Sequence, residues 1–140
     1  MAESNASPRY ARQRRLPFWD STAQTNLASS HALIVGVGAL GCPCADLLVR
    51  AGVGKLTIVD RDLVDVTNLH RQTLYTDDDA KRHRPKAIAA GERLRAVNPQ
   101  VEVHPVVADF NSFDAEHLML HERLGKPEIL IDGCDNFETR

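Results

Sequence analysis

The chain contains 140 residues, of which 43% are hydrophobic, and 17 Lys and Arg residues stand against 19 Asp and Glu residues. This length suits one α/β domain, or part of one, with a hydrophobic core. The formal net charge of -2 gives no global attraction for nucleic acid or an acidic membrane surface, so we expect neither as a partner. The longest apolar stretch, residues 32–42, is interrupted by glycines and is far shorter than the roughly 20 residues that span a bilayer.

The N-terminus and the cysteines both bear on location. The first 15 residues are polar and rich in arginine, and no apolar segment of the kind found in secretory signals follows them. Three cysteines cannot form a closed disulfide framework, which favours a reducing compartment. We therefore predict a cytoplasmic protein. No cysteine is assigned a catalytic role: Cys42 and Cys44 stand two apart on a predicted helix and do not face each other, and Cys134 is expected to be a small buried residue at a strand end.

Strand and helix patterns alternate after a polar N-terminal arm, residues 1–15, and we assign residues 16–140 to one domain. Ser21 and Gln24 have the spacing of a capping box, which predicts a helix over residues 21–30. His31–Val35 has the pattern of a buried strand. A second helix is predicted from about Leu40 to Gly52, and a second strand over Lys55–Val59.

The remaining elements continue this alternation. Residues 61–83 are predicted to form a polar loop, and Pro85 to occupy the first position of a helix that stops at Asn98. A third strand is expected within residues 101–107, a helix over residues 112–124, and a fourth strand at residues 129–131. This order predicts a Rossmann-like α/β fold, doubly wound and mainly parallel, with ligands at the carboxyl ends of the strands.

The segment between the first strand and the second helix has the glycine pattern of a nucleotide-binding turn. Gly36 permits a tight turn, Gly38 allows a phosphate to approach the backbone, and Gly41 allows the helix to pack on the sheet. The helix N-terminus then presents N–H groups to an anion. Asp60, at the end of the second strand, stands where an acidic residue accepts hydrogen bonds from a ribose. A nicotinamide or flavin enzyme would share these features.

Further short motifs follow in a fixed order along the chain. They are RYARQ at 9–13, GVGALG at 36–41, AGVG at 51–54, DRD at 60–62, NLHRQ at 68–72, PK at 85–86, NP at 98–99 and DGCDN at 132–136. The series resembles the MoeB/ThiF branch of the ubiquitin-activating enzyme superfamily. The resemblance runs from Arg9 to the last residue, and an ordered set of motifs is far more specific than any single one.

The chemistry of adenylation accounts for several of these residue types. Displacement at the α-phosphate of ATP develops negative charge on that phosphate and on the departing pyrophosphate, which fixed cations and a metal ion stabilise. Arg71 and Lys86 can supply the cations. Asp135 follows a predicted strand and can hold Mg²⁺ through its carboxylate. Hydride transfer has no such requirement.

The resemblance implies specific roles for individual residues. Asp60 is similar to the ribose ligand of the family, Asn68 and Arg71 to its nucleotide and phosphate contacts, and Lys86 to its phosphate-binding lysine. Asp135 resembles the Mg²⁺ ligand. The other expected nucleotide-binding positions are Gly36, Gly38, Ala39, Gly41 and Asp62.

The resemblance also implies partners. Arg12 is similar to the arginine that family members insert into the ATP site of a neighbouring subunit, so we expect a homodimer in which Arg12 acts across the interface. The expected substrates are ATP, with Mg²⁺, and the C-terminal carboxylate of a ubiquitin-like sulfur-carrier protein. The expected product is an acyl-adenylate.

The chain departs from the family pattern at several points. Ala39 replaces the second of two adjacent glycines, and residues 81–85 lack the glycine that commonly precedes Lys86. The paired cysteines of the family's zinc site are absent from this chain, and we expect the chain to end before the second half of the domain. Two alternatives therefore stay open: a non-catalytic nucleotide-binding or scaffold fragment, and the nicotinamide-binding domain of an oxidoreductase.

Overall fold

Short apolar segments of the chain form parallel strands separated by helices. The computed structural model describes residues 7–110 and 125–135. Within them the strands are β1 (His31–Val35), β2 (Lys55–Val59), β3 (Glu102–Val106) and β4 (Ile129–Asp132), and the helices are α1 (Ser21–Ser29), α2 (Gly41–Ala51), α3 (Asp77–Lys81) and α4 (Lys86–Val97). Strands and helices lie close to the predicted bounds, and only the helix predicted over residues 112–124 falls outside the described residues.

The described strands form one sheet in the order β3-β2-β1-β4, and every neighbouring pair is parallel. Because all four strands are parallel, the loops that follow them leave the sheet at the same edge. β2 and β4 lie on opposite sides of β1, so the chain changes side at this strand. This arrangement confirms the predicted Rossmann-like α/β fold and defines the edge at which a ligand site is expected.

Both faces of the sheet are covered by apolar side chains. One face carries Ile34, Leu56 and Ile58, which pack with apolar residues of α2 and α4 such as Val49 and Leu94. The opposite face carries Leu33, Val35 and Val59, which pack with residues following β3 and β4. The central strands are therefore buried on both sides, as is typical of parallel sheets.

The start of α1 differs from the predicted capping box. Asp20, rather than Ser21, is the N-cap, and its carboxylate accepts a hydrogen bond from Ala23 N at 2.8 Å. The side chain of Gln24 does not reach back to the helix start, because its Nε2 atom donates to Ala51 O at 3.1 Å and its Oε1 atom accepts from Trp19 Nε1 at 3.2 Å. The prediction that Ser21 and Gln24 form the cap is wrong, since tertiary contacts hold Gln24.

The prediction of a polar loop over residues 61–83 is also incomplete. This segment contains a 3-10 helix, Val66–Asn68, and the helix α3, whose start is closed by a capping box between Thr76 and Asp79. Leu74 and Tyr75 are buried, and Tyr75 donates a hydrogen bond to Val37 O at 2.7 Å. The segment is thus an ordered cover that is attached to the glycine-rich turn.

Pro85 precedes α4 as its N-cap rather than occupying the first helical position. The reason is a tertiary contact: Lys86 N donates to Asp62 O at 2.8 Å, and Leu63 forms an isolated antiparallel bridge with Pro85. Pro85 is held in an extended conformation by these contacts, so the helix begins one residue later, at Lys86.

The N-terminal residues from Ser7 onward pack against the domain. Tyr10 lies in a short 3-10 helix and is 8% exposed. Its hydroxyl accepts from Asn98 Nδ2 at 2.9 Å and donates to Gln100 Oε1 at 3.2 Å. Within the part of the chain that the structure describes, no helix is both long and apolar enough to cross a bilayer.

Candidate functional site

A cleft of about 440 Å³ opens at the carboxyl edge of the sheet, between the loops that follow the four described strands, the segment that contains Arg71 and Gln72, and the start of α4. Its lining includes most of the residues singled out in the sequence: Gly36, Gly38, Ala39, Asp60, Asp62, Arg71, Lys86 and Asp135. Gly41, Asn68 and Arg12 do not line it. Residues far apart in the chain therefore meet at one site because the parallel strands end at a common edge.

The three glycines of the turn occupy different environments. Gly36 has φ of +86°, and a Cβ atom there would lie 3.0 Å from the carbonyl carbon of Gly133. A Cβ atom on Gly41 would lie 1.9 Å from Gly36 O, so Gly41 serves the close packing of turn and helix. At Gly38 the nearest atom to such a Cβ is Gln72 Nε2, at 3.8 Å. A side chain at Gly38 would thus overlap no atom of the fold, and the backbone there is accessible from the cleft.

Asp60 connects the end of β2 to the glycine turn. It is 9% exposed; one carboxylate oxygen accepts from Val37 N at 2.8 Å and the other from Asp62 N at 2.8 Å. Burial raises the pKa of Asp60, although these two hydrogen bonds and the charge of Lys86 oppose the rise. Each carboxylate oxygen can accept a second hydrogen bond, so Asp60 keeps the capacity to bind a hydroxyl in the cleft.

Lys86 provides a buried cation. It is the first residue of α4 and is 6% exposed. Its Nζ atom lies 2.9 Å from Asp62 Oδ2, while the Asp62 side chain is itself 57% exposed. The pair places an ammonium group at the cleft wall and leaves the carboxylate accessible to solvent. A ligand anion can therefore reach Lys86 while Asp62 shifts at little cost.

Arg71 and Asn68 lie in the segment that covers the turn. Arg71 is exposed and lines the cleft, and its Nη1 atom donates to Thr67 O at 3.2 Å. Asn68 stands outside the cleft lining, and its backbone carbonyl accepts hydrogen bonds from the amides of Arg71 and Gln72. In this structure Asn68 shapes the turn that presents Arg71.

Arg12 and Asp135 are both exposed, in different parts of the molecule. Arg12 precedes the second 3-10 helix near the N-terminus. Asp135 lies at the cleft, beyond β4. The described residues contain no group of three or more acidic, His or Cys side chains that could enclose a metal ion, so any metal at Asp135 would take further ligands from a bound substrate or water.

Sequence reasoning did not assign a site role to Gln72, although it lies within the NLHRQ motif. The structure places it at the cleft, 4% exposed, with its Oε1 atom buried and unpaired. The only signal in the sequence was its position next to Arg71. Cys134 also lines the cleft; burial and the neighbouring Asp132 raise the pKa of its thiol to about 11, which keeps it protonated and a poor nucleophile at neutral pH.

Comparison with known proteins identifies curated relatives that are named adenylyltransferases. The chain is 46% identical over 132 residues to the sulfur carrier protein ThiS adenylyltransferase of Bacillus subtilis, a match that covers 94% of this chain and 38% of that relative. It is 39% identical over 132 residues to the molybdopterin-synthase adenylyltransferase of Escherichia coli, covering 94% of this chain and 50% of that relative. The chain thus spans half or less of the length of these curated relatives.

Solved structures share the fold. A structure described as TcdA (CsdL) superposes with a TM-score of 0.80 at 31% identity, covering 94% of this chain and 51% of that one. The E. coli tRNA N6-threonylcarbamoyladenosine dehydratase TcdA in complex with ATP gives a TM-score of 0.77 at 29% identity, covering 92% and 50%. The family profile itself matches residues 10–140, and with this match and the cleft described above, the chain belongs to the ThiF family.

Proposed function

We propose that the protein binds ATP with Mg²⁺ and transfers AMP to the C-terminal carboxylate of a ubiquitin-like sulfur-carrier protein, releasing pyrophosphate. The observation that carries this proposal is the meeting, in one cleft, of an open glycine turn at Gly38, the cations Lys86 and Arg71, and the carboxylates Asp60 and Asp135. The adenylyltransferase relatives and an ATP-bound structural neighbour support it.

Each step of the reaction has a suitable group in the cleft. A carboxylate oxygen of the carrier attacks the α-phosphorus, the bond to the departing pyrophosphate breaks, and an acyl-adenylate forms. Lys86 and Arg71 offset the negative charge that develops on the phosphates. Asp60 accepts a hydrogen bond from a ribose hydroxyl, and the turn at Gly38 lets the phosphates approach the backbone.

The carboxylates present are compatible with Mg²⁺. This ion is usually held by one or two carboxylates together with substrate phosphates, not by an all-protein cage, and Asp135 is an exposed carboxylate at the cleft. When bound there, Mg²⁺ would neutralise phosphate charge. Asp62 is a second carboxylate within the cleft lining and is engaged by Lys86.

The proposal includes a cytoplasmic homodimer in which Arg12 enters the site of the partner subunit. Arg12 is exposed and lies outside the cleft of its own chain, a position that leaves its guanidinium available to another subunit. Tyr10 anchors the segment that carries Arg12, which limits the positions that this arginine can reach.

Calorimetric titration of ATP and Mg²⁺ tests the proposal, using the wild type, Arg71→Ala and Asp135→Asn. We expect saturable binding by the wild type and affinities about 10-fold or more weaker in both variants, since each loses a charged contact. Arg82→Ala is the matched control: Arg82 is exposed, is paired with Asp78 on α3, does not line the cleft, and should bind ATP as the wild type does.

Pyrophosphate exchange then identifies the reaction. Exchange that depends on an added sulfur-carrier protein with a free C-terminal carboxylate would support adenylation. ATP binding without exchange for any carrier would favour the non-catalytic alternative. Tighter binding of NAD than of ATP would contradict the proposal and favour the oxidoreductase alternative.

A further inference from the structure

The carboxamide of Gln72 has an unusual environment. It is 4% exposed, and its Oε1 atom is buried without a hydrogen-bond partner. A buried carbonyl oxygen without a partner destabilises the folded state relative to an apolar side chain of the same shape. Packing alone would therefore favour an apolar residue at this position, so the amide has to be explained by something other than the stability of the fold.

A second buried glutamine shows the contrast. Gln24 is 5% exposed, but its Oε1 accepts from Trp19 and from Gln13, and its Nε2 donates to Ala51 O at 3.1 Å. It lies outside the cleft. Gln24 thus has the full set of partners expected of a structural glutamine, and Gln72 does not.

The amide nitrogen of Gln72 lies beside Gly38 of the glycine turn. Gln72 Nε2 lies 3.8 Å from the position of a Cβ atom on Gly38 and is the nearest atom to it. Both residues line the cleft. An amide –NH₂ group donates two hydrogen bonds and accepts none, whereas phosphate oxygens are acceptors. The group facing this space is therefore suited to an anionic oxygen.

The backbone around Gln72 fixes the side chain relative to the turn. Gln72 N donates to Asn68 O at 3.0 Å and Gln72 O accepts from Tyr75 N at 3.3 Å. Tyr75 in turn donates its hydroxyl proton to Val37 O at 2.7 Å, within the glycine turn. The backbone of Gln72 is thus held near the turn, and its side chain is buried, before any ligand arrives, which reduces the entropy lost on binding.

We propose that Gln72 is a phosphate-contacting residue: its Nε2 atom donates a hydrogen bond to a phosphate oxygen of a nucleotide bound beside Gly38. The inference rests on the proposed function, because it requires a nucleotide in the cleft. It adds a neutral donor to the charged pair Arg71 and Lys86, aimed at the same anion from the covering segment.

The test compares Gln72→Met with Gln24→Met in the intact protein, by ATP titration in the presence of Mg²⁺ and by urea unfolding without nucleotide. We expect Gln72→Met to be at least as stable as the wild type and to bind ATP about 10- to 100-fold more weakly. Gln24→Met should be less stable and bind ATP normally. Gln72→Glu should bind ATP more weakly still, because a carboxylate repels phosphate.

Adenosine separates a phosphate contact from a general change in the cleft. Its affinity should be the same in Gln72→Met and in the wild type, since adenosine has no phosphate. Unchanged ATP affinity in Gln72→Met, or a variant that unfolds, would overturn the inference while leaving the proposed function intact. A wild type that does not bind ATP would overturn the proposed function, and the inference with it.

Discussion

At the scale of single residues, Gly41 and Gly38 of the glycine turn have different surroundings, in keeping with the separate tasks of packing and phosphate approach that the sequence pattern assigns to them. Gly41 is required by the fold, because no side chain fits between it and Gly36 O. At Gly38 a Cβ atom would meet only Gln72 Nε2, at 3.8 Å, so the fold has room for a side chain there and we expect the glycine to serve what enters the cleft. The same residue type therefore serves packing at one position and ligand access three residues away.

This division predicts opposite outcomes for two alanine substitutions. Gly41→Ala should lower the free energy of unfolding by about 1–3 kcal/mol, because its methyl group would overlap backbone. Gly38→Ala should change the stability by less than about 0.5 kcal/mol but weaken ATP binding, since its methyl group occupies the approach to the backbone. Urea unfolding and ATP titration of both variants provide the measurements. A Gly38→Ala variant with wild-type affinity would contradict the assignment.

Asp60 illustrates how one side chain joins several parts of the site. Its carboxylate accepts hydrogen bonds from the backbone of the glycine turn and of the loop after β2. The position of the turn and the position of Asp62, which pairs with Lys86, are therefore coupled through a single buried acidic residue. A role for Asp60 in organising the cleft accompanies its proposed contact with ribose.

At the scale of elements, the end of α2 and the N-terminal segment depend on each other. Gly52 ends α2 in a left-handed conformation with φ of +92°, and a Cβ atom there would lie 2.6 Å from the ring of Tyr10. The absence of a side chain at Gly52 thus leaves the space that the Tyr10 ring occupies. The segment that carries Arg12 is attached to the domain through this contact between Tyr10 and Gly52.

Gly52→Ala tests the contact between Gly52 and Tyr10. The substitution should destabilise the protein through the left-handed backbone, at about 1–2 kcal/mol, and additionally through the contact with Tyr10. In a Tyr10→Ala background only the backbone part should remain, so the two substitutions should be non-additive in a double-mutant cycle of unfolding free energies. If Gly52→Ala lowers the unfolding free energy equally in both backgrounds, Tyr10 does not contact Gly52 in solution.

At the scale of the whole molecule, the cleft is lined by loops that follow all four described strands, by the segment that contains Arg71 and Gln72, and by the start of α4. A ligand bound there contacts elements that are distant in the chain. Binding to the folded state alone stabilises a protein in proportion to the logarithm of ligand concentration over Kd. Nucleotide binding should therefore raise the stability of the entire domain and not of one loop.

The predicted increase is about 2.7 kcal/mol in the free energy of unfolding at an ATP concentration of 100 times Kd. Lys86→Met should lose most of the increase at that same ATP concentration, because it removes the buried cation of the cleft. Its stability without nucleotide should change little, since the partner Asp62 is 57% exposed. Urea unfolding with and without ATP and Mg²⁺ measures both quantities. An undiminished increase in Lys86→Met would contradict a role for Lys86 in binding.

Much of the fold could be predicted because it depends on local patterns. β1 and β2 have the predicted bounds, and α2 ends at Gly52 as the helix-stop signal indicated. The errors occurred where distant contacts override local preference. Gln24 does not cap its helix because its side chain forms hydrogen bonds with Ala51 and Trp19. Pro85 is held in an extended conformation because Lys86 N donates a hydrogen bond to Asp62 O.

For the candidate site too, local patterns predicted one part and tertiary contacts decided the other. The residue types and their order along the chain were sufficient to predict a nucleotide site, and most of the residues selected for it do line the cleft, because the glycine turn and the ends of parallel strands follow from the strand pattern. Which of these residues face the cleft was decided by tertiary structure. The pairing of Lys86 with Asp62, the separation of Arg12 from the cleft and the unpaired oxygen of Gln72 all depend on contacts between segments distant in sequence, and no local pattern encodes them.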